Sequence, residues 1–378
     1  YRWESGLKRP ALKKKPFVSI LVPAYKSEKV IADCIRSLKA LDYDKKEIIV
    51  VNDSKDRTPE ICRKLGVKII QNRKRLGKAR ALNLAAKKAK GSILFFVDAD
   101  TVVQKDALKK MLPWFEKKNV AAVSPKFVVK NKGNFLTRLL AIENAFISSF
   151  FKIHMFFGSL ISFRGCAVAI RRDIFEKLGG WPETLIEDTD LSARIFNAGY
   201  AIQYEPEVVV KTREPETWRD LAKQRFRWGK GSLFSFINHR HTYKCSPQFF
   251  LYFAPYIFLA LAVIGFVLWH SIFALPALFL YTLLAFSLKE TLLVLAGLFT
   301  FLSATILSTT AGSIAHLALL TYPESRPKDL LLIVPYVCLF VPFVIACYIK
   351  GIISGIKDKR AKKPELDLSC WQPLTDAS

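Results

Sequence analysis

The feature that most constrains this chain is an abrupt change of texture about two-thirds of the way along it. Up to about Gly231 apolar residues are interleaved with charge, whereas from Phe249 to Ile349 the sequence is almost continuously apolar, broken by short polar punctuation. That contrast divides the chain into a water-facing front and a membrane-spanning back. Four apolar segments are predicted, at 249–269, 271–288, 291–321 and 330–350. The first and last have spanning length and the second is borderline. The third would run to roughly 45 Å as one helix, beyond a hydrocarbon core of about 30 Å. Its small and hydroxyl residues (Ser303, Thr305, Ser308, Thr309, Thr310, Gly312 and Ser313) suit close helix packing, or alternatively a polar path. The tail Lys357–Lys363 is strongly basic, and so is the lead that ends Lys13-Lys14-Lys15-Pro16. The positive-inside rule puts both on the cytoplasmic side, which requires an even number of crossings, four on this reading. The predicted organisation is a basic lead at 1–16, an α/β domain with interfacial helices at 17–240, membrane helices at 249–350 and a basic cytoplasmic tail at 351–378.

The chain carries 58 Lys and Arg against 32 Asp and Glu, a formal net charge of +26. Such an excess suits an anionic leaflet and phosphate-bearing ligands. Nucleic acid is the rival partner, but the basic residues are dispersed and no aromatic-basic nucleic-acid motif appears, so no nucleic acid is expected. The seven cysteines (Cys34, Cys62, Cys166, Cys245, Cys338, Cys347 and Cys370) form no C-x-x-C pair and read as reduced thiols.

Within the front, β-branched apolar runs alternate with helix-like stretches. Strands are predicted at Phe17–Pro23, Glu47–Asn52, Val67–Gln71 and Ile93–Asp98, and helices at Glu28–Ala40, Thr58–Leu65, Lys78–Ala89 and near Lys105–Lys117. The βαβαβαβ order predicts a mostly parallel, Rossmann-like sheet covered on both faces. Ligands of such sheets gather at the carboxyl ends of the strands, where Asp53, Asp98 and Asp100 fall. Asn134–Phe151 reads as an amphipathic, aromatic helix, fit for a membrane interface or for an ordinary core.

Transfer of a group from a nucleotide diphosphate needs a grip on the nucleotide, positive charge on the leaving diphosphate and a base for the acceptor. Asp98-Ala99-Asp100 follows the apolar strand Ile93–Val97, so two carboxylates at i and i+2 can turn toward one hard cation. A solvated loop is the bland alternative. Asp53 can accept the imide N–H of uracil, or simply cap a turn. Glu187 and Asp188 lie within Ile186–Leu191, where close acids can raise a base's pKa or merely complement a helix dipole. Gln224-Arg225-Phe226-Arg227-Trp228 joins donors for phosphate oxygens to a ring that can stack on a sugar, and would equally anchor a helix to lipid.

Taken in order, these motifs resemble the processive membrane branch of family 2 glycosyltransferases, which includes cellulose, chitin, hyaluronan and poly-N-acetylglucosamine synthases. The resemblance rests on Val22-Pro23-Ala24-Tyr25, Val51-Asn52-Asp53-Ser54, Gly77-Lys78-Ala79 with Asn83, Asp98-Ala99-Asp100, Glu187-Asp188 and Gln224-x-x-Arg227-Trp228. It implies a GT-A catalytic domain joined to an α-helical transmembrane region, in a multi-pass protein of the cell membrane. It implies donor contacts from Pro23, Ala24, Tyr25, Asp53, Lys78 and Asp98, with Mg²⁺ or Mn²⁺ on Asp98 and Asp100. It also implies Asp188 as general base with Glu187 beside it, and Gly165, Cys166, Gln224, Arg227 and Trp228 about the acceptor and diphosphate. The expected reaction is inverting transfer from a UDP-sugar, UDP-N-acetylglucosamine or UDP-glucose first, to a β-linked glycan exported through the membrane helices. The rivals are transfer of one sugar to a polyprenyl phosphate and a non-catalytic scaffold or conduit. Two positions depart from the family pattern: Lys26, where Asn often follows the Tyr, and Arg80, where Gly is frequent.

Overall fold

The computed structural model describes residues 9–72, 74–240 and 335–360, with isolated positions between 276 and 332. The chain divides into two compact units, one made of Tyr1–Cys245 with Pro342–Ser378 and the other of Ser246–Val341. In the second unit the described part is chiefly a π-helical turn, Tyr336–Phe340, whose Tyr336 and Phe340 rings stack 5.2 Å apart. The apolar segments predicted at 249–269, 271–288 and 291–321 lie largely outside the described residues.

The first unit opens with strands β1 (Val18–Ala24), β2 (Lys46–Asn52), β3 (Lys68–Gln71) and β4 (Ile93–Val97), separated by helices α1 (Ile31–Lys39), α2 (Thr58–Lys64) and α3 (Lys78–Lys88). These bounds lie close to those predicted. The α1 helix buries Ile31, Cys34, Ile35 and Leu38, one stripe at helical spacing. All five residues of β4 are buried, because the sheet is covered on both faces. Ile93, Phe95 and Val97 join one core with α1, while Leu94 and Phe96 join the other with α3.

The chain continues through β5 (Val102–Val103), α4 (Ala107–Met111), β6 (Val120–Val129), α5 (Phe135–His154), β7 (Ala167–Arg171), α6 (Arg172–Lys177), α7 (Glu187–Asn197), β8 (Ala201–Thr212) and α8 (Trp218–Asn238). The helix predicted near Lys105–Lys117 splits at Leu112, where a 3₁₀ turn carrying Pro113 takes over. Strand order is β3-β2-β1-β4-β7-β6-β8-β5. The sheet is mixed, with parallel pairs the more numerous: β1 to β4 pair in parallel, as do β6 and β8, but β7 runs antiparallel to both β4 and β6, and β5 to β8. The cause lies in the connection before β7. After α5 the chain bonds beside the start of β8 (Leu160 N to Ile202 O, 2.8 Å), then climbs in extended form to the end of β4. There Asp98 N donates to Cys166 O at 2.9 Å, so β7 must descend.

Helix α5 is held at its start by a capping box, Asn134 and Thr137 bonding each other's backbone N–H groups. Among the described residues Phe135–Phe157 is the one helical stretch long and apolar enough to cross a membrane, yet 56% of its most apolar window is buried. Leu139, Leu140, Ala145 and Phe151 are covered, as in a core helix that packs on the sheet. A last helix, α9 (Val341–Arg360), extends through residues read from sequence as the beginning of the tail. It packs closely on α8: a Cβ at Gly229 would strike the Tyr348 carbonyl, and one at Gly351 that of Phe226.

One polar junction ties α3, β1, β2 and β4 together. Buried Ser19 Oγ donates to Glu47 Oε1 at 2.7 Å and accepts from Gly91 N at 2.8 Å. A Cβ at Gly91 would lie 2.5 Å from Ser19 N and 2.8 Å from Phe17 O, both rigid strand backbone. Gly91→Ala is expected to lower the unfolding free energy by about 2 kcal/mol or more. Gly133→Ala, where no atom lies within 4 Å, should cost under about 0.5 kcal/mol by the same denaturation measurement.

Candidate active site

The sheet's strand order reverses at β1, from which the chain steps outward to β2 and β3 and then returns to β4 on the other side. Loops leaving the carboxyl ends of neighbouring strands there diverge and leave a crevice. A cavity of about 940 Å³ opens at that point. Every residue singled out in the sequence for donor, metal, base or acceptor lines it: Pro23, Ala24, Tyr25, Asp53, Lys78, Asp98, Asp100, Gly165, Cys166, Glu187, Asp188, Gln224, Arg227 and Trp228.

Asp53 follows β2, its N–H still bonded to Ala24 O at 3.0 Å. Its carboxylate accepts from Asn72 Nδ2 at 2.7 Å, Leu76 N at 2.9 Å and Gly77 N at 3.1 Å. It thereby folds the loop before α3 into the cavity wall. That loop carries Arg75, whose guanidinium lies 4.3 Å from the Tyr25 ring centre. Lys26 has a φ of 49°, a left-handed conformation that Asn tolerates far better than Lys. That backbone explains why Asn is the common residue there, and Lys26 N donates to Ser54 Oγ at 2.9 Å.

Lys78, at the first turn of α3, is the hub. Its Nζ sits 2.8 Å from Asp98 Oδ1, 3.3 Å from Glu187 Oε1 and 3.2 Å from Gly165 O. Burial alone would lower its pKa, but the adjoining Asp98 and Glu187 charges outweigh this and raise it. Burial pushes Asp98 up, with Lys78 opposing. Asp100 is pushed up to about 6 by burial and by the neighbouring Asp98 charge.

Asp188 stands in the first turn of α7 with Glu187 and Asp190, where all three complement the helix dipole, and Glu187 and Asp188 also line the cavity. Asp188 Oδ2 accepts from Gly165 N at 2.8 Å and Oδ1 from Thr189 N at 2.8 Å. Burial, then the Glu187 charge, raises its pKa against those two N–H bonds and Lys78. The approach to α7 is anchored by Trp181, packed edge-on to Phe96 at 5.1 Å. Asn83 clasps the Trp181 backbone through two bonds of 2.8 Å, a positioning role on the far side of α3.

On the opposite wall, Gln224, Arg227 and Trp228 come from α8, whose start is capped by Thr217. Gln224 Oε1 is buried without a hydrogen-bond partner among the described residues. Arg227 donates to Leu185 O, which ties α8 to the segment before α7. Burial raises the Cys166 thiol, so it lines the wall as an unreactive group. Arg75 and Glu214 also line the wall, and neither belongs to a motif read from the sequence. Arg164 pairs with Glu214 at 2.8 Å, a contact made across 50 positions that no local pattern reveals.

A mixed sheet with a carboxylate-lined crevice at its switch point defines a GT-A domain. Residues 19–179 match the family model described as Glycosyl transferase family 2. The chain is 35% identical over 248 residues to the probable glycosyltransferase YdaM of Bacillus subtilis (strain 168), covering 60% of this chain and 57% of that protein. It is 32% identical over 242 residues to a poly-β-1,6-N-acetyl-D-glucosamine synthase of Staphylococcus aureus (strain COL), covering 59% of this chain and 58% of that protein. The matches thus span less than two-thirds of these relatives. The mannosyltransferase PcManGT of Pyrobaculum calidifontis, solved with GDP-Man and Mn²⁺, shares the fold at a TM-score of 0.56 and 23% identity, over 95% of this chain and 93% of that one. Over residues 19–179 the chain is similar to family 2 glycosyltransferases, and the architecture it shares with PcManGT is the GT-A fold.

Gly165 is where Asp188 and Lys78 meet, and a Cβ there would lie 3.1 Å from both Cβ and Oδ2 of Asp188. Gly165→Ala is expected to displace that carboxylate and cut kcat about tenfold to a hundredfold.

Proposed function

We propose that the protein transfers a sugar from a UDP-sugar, with inversion, to a β-linked glycan at the cytoplasmic face of a membrane. The observation that carries this reading is the shared cavity: the base, the Asp98/Asp100 pair and the cationic groups converge on one space large enough for a nucleotide sugar and an acceptor. Similarity to a poly-β-1,6-N-acetyl-D-glucosamine synthase supports N-acetylglucosamine as the first sugar to test, carried here as UDP-N-acetylglucosamine. The apolar segments from 249 to 350 and the net charge of +26 support residence in a bilayer with an anionic leaflet.

In this mechanism Asp188 takes the proton of the acceptor hydroxyl as its oxygen attacks the anomeric carbon and UDP departs. A carboxylate has about four lone-pair sites, so two backbone N–H bonds leave it capacity for that hydroxyl. Glu187 stands beside Asp188 in sequence and shares Lys78 with Asp98. Tyr25 and Asp53 border the nucleotide end, while Gln224, Arg227 and Trp228 border the diphosphate and acceptor. Gln224 Oε1, buried and unpartnered among the described residues, is a group prepared for a ligand.

Asp98 and Asp100 fit a divalent metal such as Mg²⁺ or Mn²⁺. They are two hard oxygen donors in the cavity wall, and burial, with the neighbouring Asp98 charge second, raises the Asp100 pKa to about 6. Among the described residues no group of three or more His, Cys, Asp or Glu could hold a metal by itself, so substrate oxygens would complete the shell. A bound metal would neutralise charge on the departing diphosphate.

Asp188→Asn is expected to abolish transfer while UDP binding by calorimetry stays within about threefold. Normal turnover in that variant would remove Asp188 as the base. Because Asp188 must be ionised and its pKa is raised, kcat should fall on acidification at a pH above the ordinary carboxylate value of about 4. An acid limb at or below that value would contradict the assignment. Product sizing separates the two reactions: a ladder of long glycans supports polymer synthesis, and one lipid-linked monosaccharide supports a polyprenyl phosphate acceptor.

A further inference from the structure

Five residues of α8 run Gln224-Arg225-Phe226-Arg227-Trp228, and the cavity takes three of them. Arg225 is not among its lining residues, and it is only 2% exposed. A buried guanidinium is costly unless it is paired and its geometry is used. Arg225 Nη2 pairs with Glu143 Oε2 of α5, and its guanidinium carbon lies 4.2 Å from the Trp228 ring centre. Nε has no acceptor among the described residues, where the guanidinium meets the Glu143 carboxylate and the Trp228 face. Residues 225 and 228 are three apart on a helix and share a face.

The carboxylate end of this chain of contacts is fixed. Glu143 and its neighbour Asn144 belong to α5, the core helix, and Asn144 Oδ1 accepts from Arg164. Arg164 precedes Gly165, which bonds Asp188 and Lys78. One turn of α5 therefore holds the base side of the cavity through Asn144 and the Trp228 side through Glu143. Resting on the transferase reading above, we propose that Arg225 is a positioning residue for the acceptor: fixed by Glu143, its guanidinium sets the plane of the Trp228 ring on which an acceptor sugar stacks. Trp228 lines the cavity, and a stacking platform discriminates only if its ring cannot swing.

The bland alternative is an ion pair that merely fastens α8 to α5. Two variants separate the two ideas, assayed on the full chain with UDP-N-acetylglucosamine and a β-1,6-linked N-acetylglucosamine oligosaccharide. Arg225→Lys keeps a charge for Glu143 and loses the flat face. Glu143→Arg combined with Arg225→Glu keeps an ion pair and removes the cation from Trp228. In both, the acceptor KM is expected to rise about tenfold. The donor KM, and UDP release by hydrolysis without acceptor, should stay within about twofold. Recovery of the wild-type acceptor KM in the swapped pair would overturn the proposal, and so would donor and acceptor KM rising together. Should the swapped pair fail to fold, Arg225→Lys carries the same two-sided readout. Wild-type protein that releases no UDP from the donor would defeat the transferase reading itself, a failure visible before any variant is compared.

Discussion

The ammonium of Lys78 is the interaction on which the site depends. Three carboxylates, Asp98, Glu187 and Asp188, come from two elements far apart in sequence and are brought into one buried corner. Left to themselves these charges would repel one another. A cation at 2.8 Å from Asp98 and 3.3 Å from Glu187 offsets that repulsion and keeps β4 and α7 together. Because the same ammonium also bonds Gly165 O, it sets the position of the loop whose N–H holds Asp188. Chemistry and architecture share one group here, as expected where ionisable residues are crowded for function.

Around that hub the walls are tied by long-range polar contacts, not by helix packing alone. Asp53 shapes the α3 loop, Asn83 steadies the approach to α7, and Arg164 with Glu214 links the β7 lead to the end of β8. Each is a buried or half-buried group with its partner in place, which favours a preorganised crevice over a pliable one. The close crossing of α8 and α9 at Gly229 and Gly351 adds a second constraint on the helix that carries Gln224, Arg227 and Trp228.

Much of this was legible before any coordinates. Repeating βα units with apolar runs such as Ile93–Val97 specify parallel strands, because a short crossover helix leaves little other choice. The same logic put Asp53 and Asp98 at strand ends. It does not reach past Val120, where β7 runs antiparallel to β4 and the Cys166 carbonyl accepts from Asp98 N at the start of β7. Periodicity also left α5 open between lipid and core, since an amphipathic aromatic face suits either until its neighbours are known.

What the sequence determined alone is the inventory and its order: which acids follow apolar strands, where helices start, and where apolar residues become almost continuous. Those follow from local physics, namely the alternation of side chains and the chemistry of strand and helix ends. Tertiary structure alone decided which charges share a corner. The pairing of Lys78 with Glu187, of Arg164 with Glu214 and of Arg225 with Glu143 spans tens of positions. A charge's partner depends on through-space distance and burial, and neither is written in the spacing of residues along the chain.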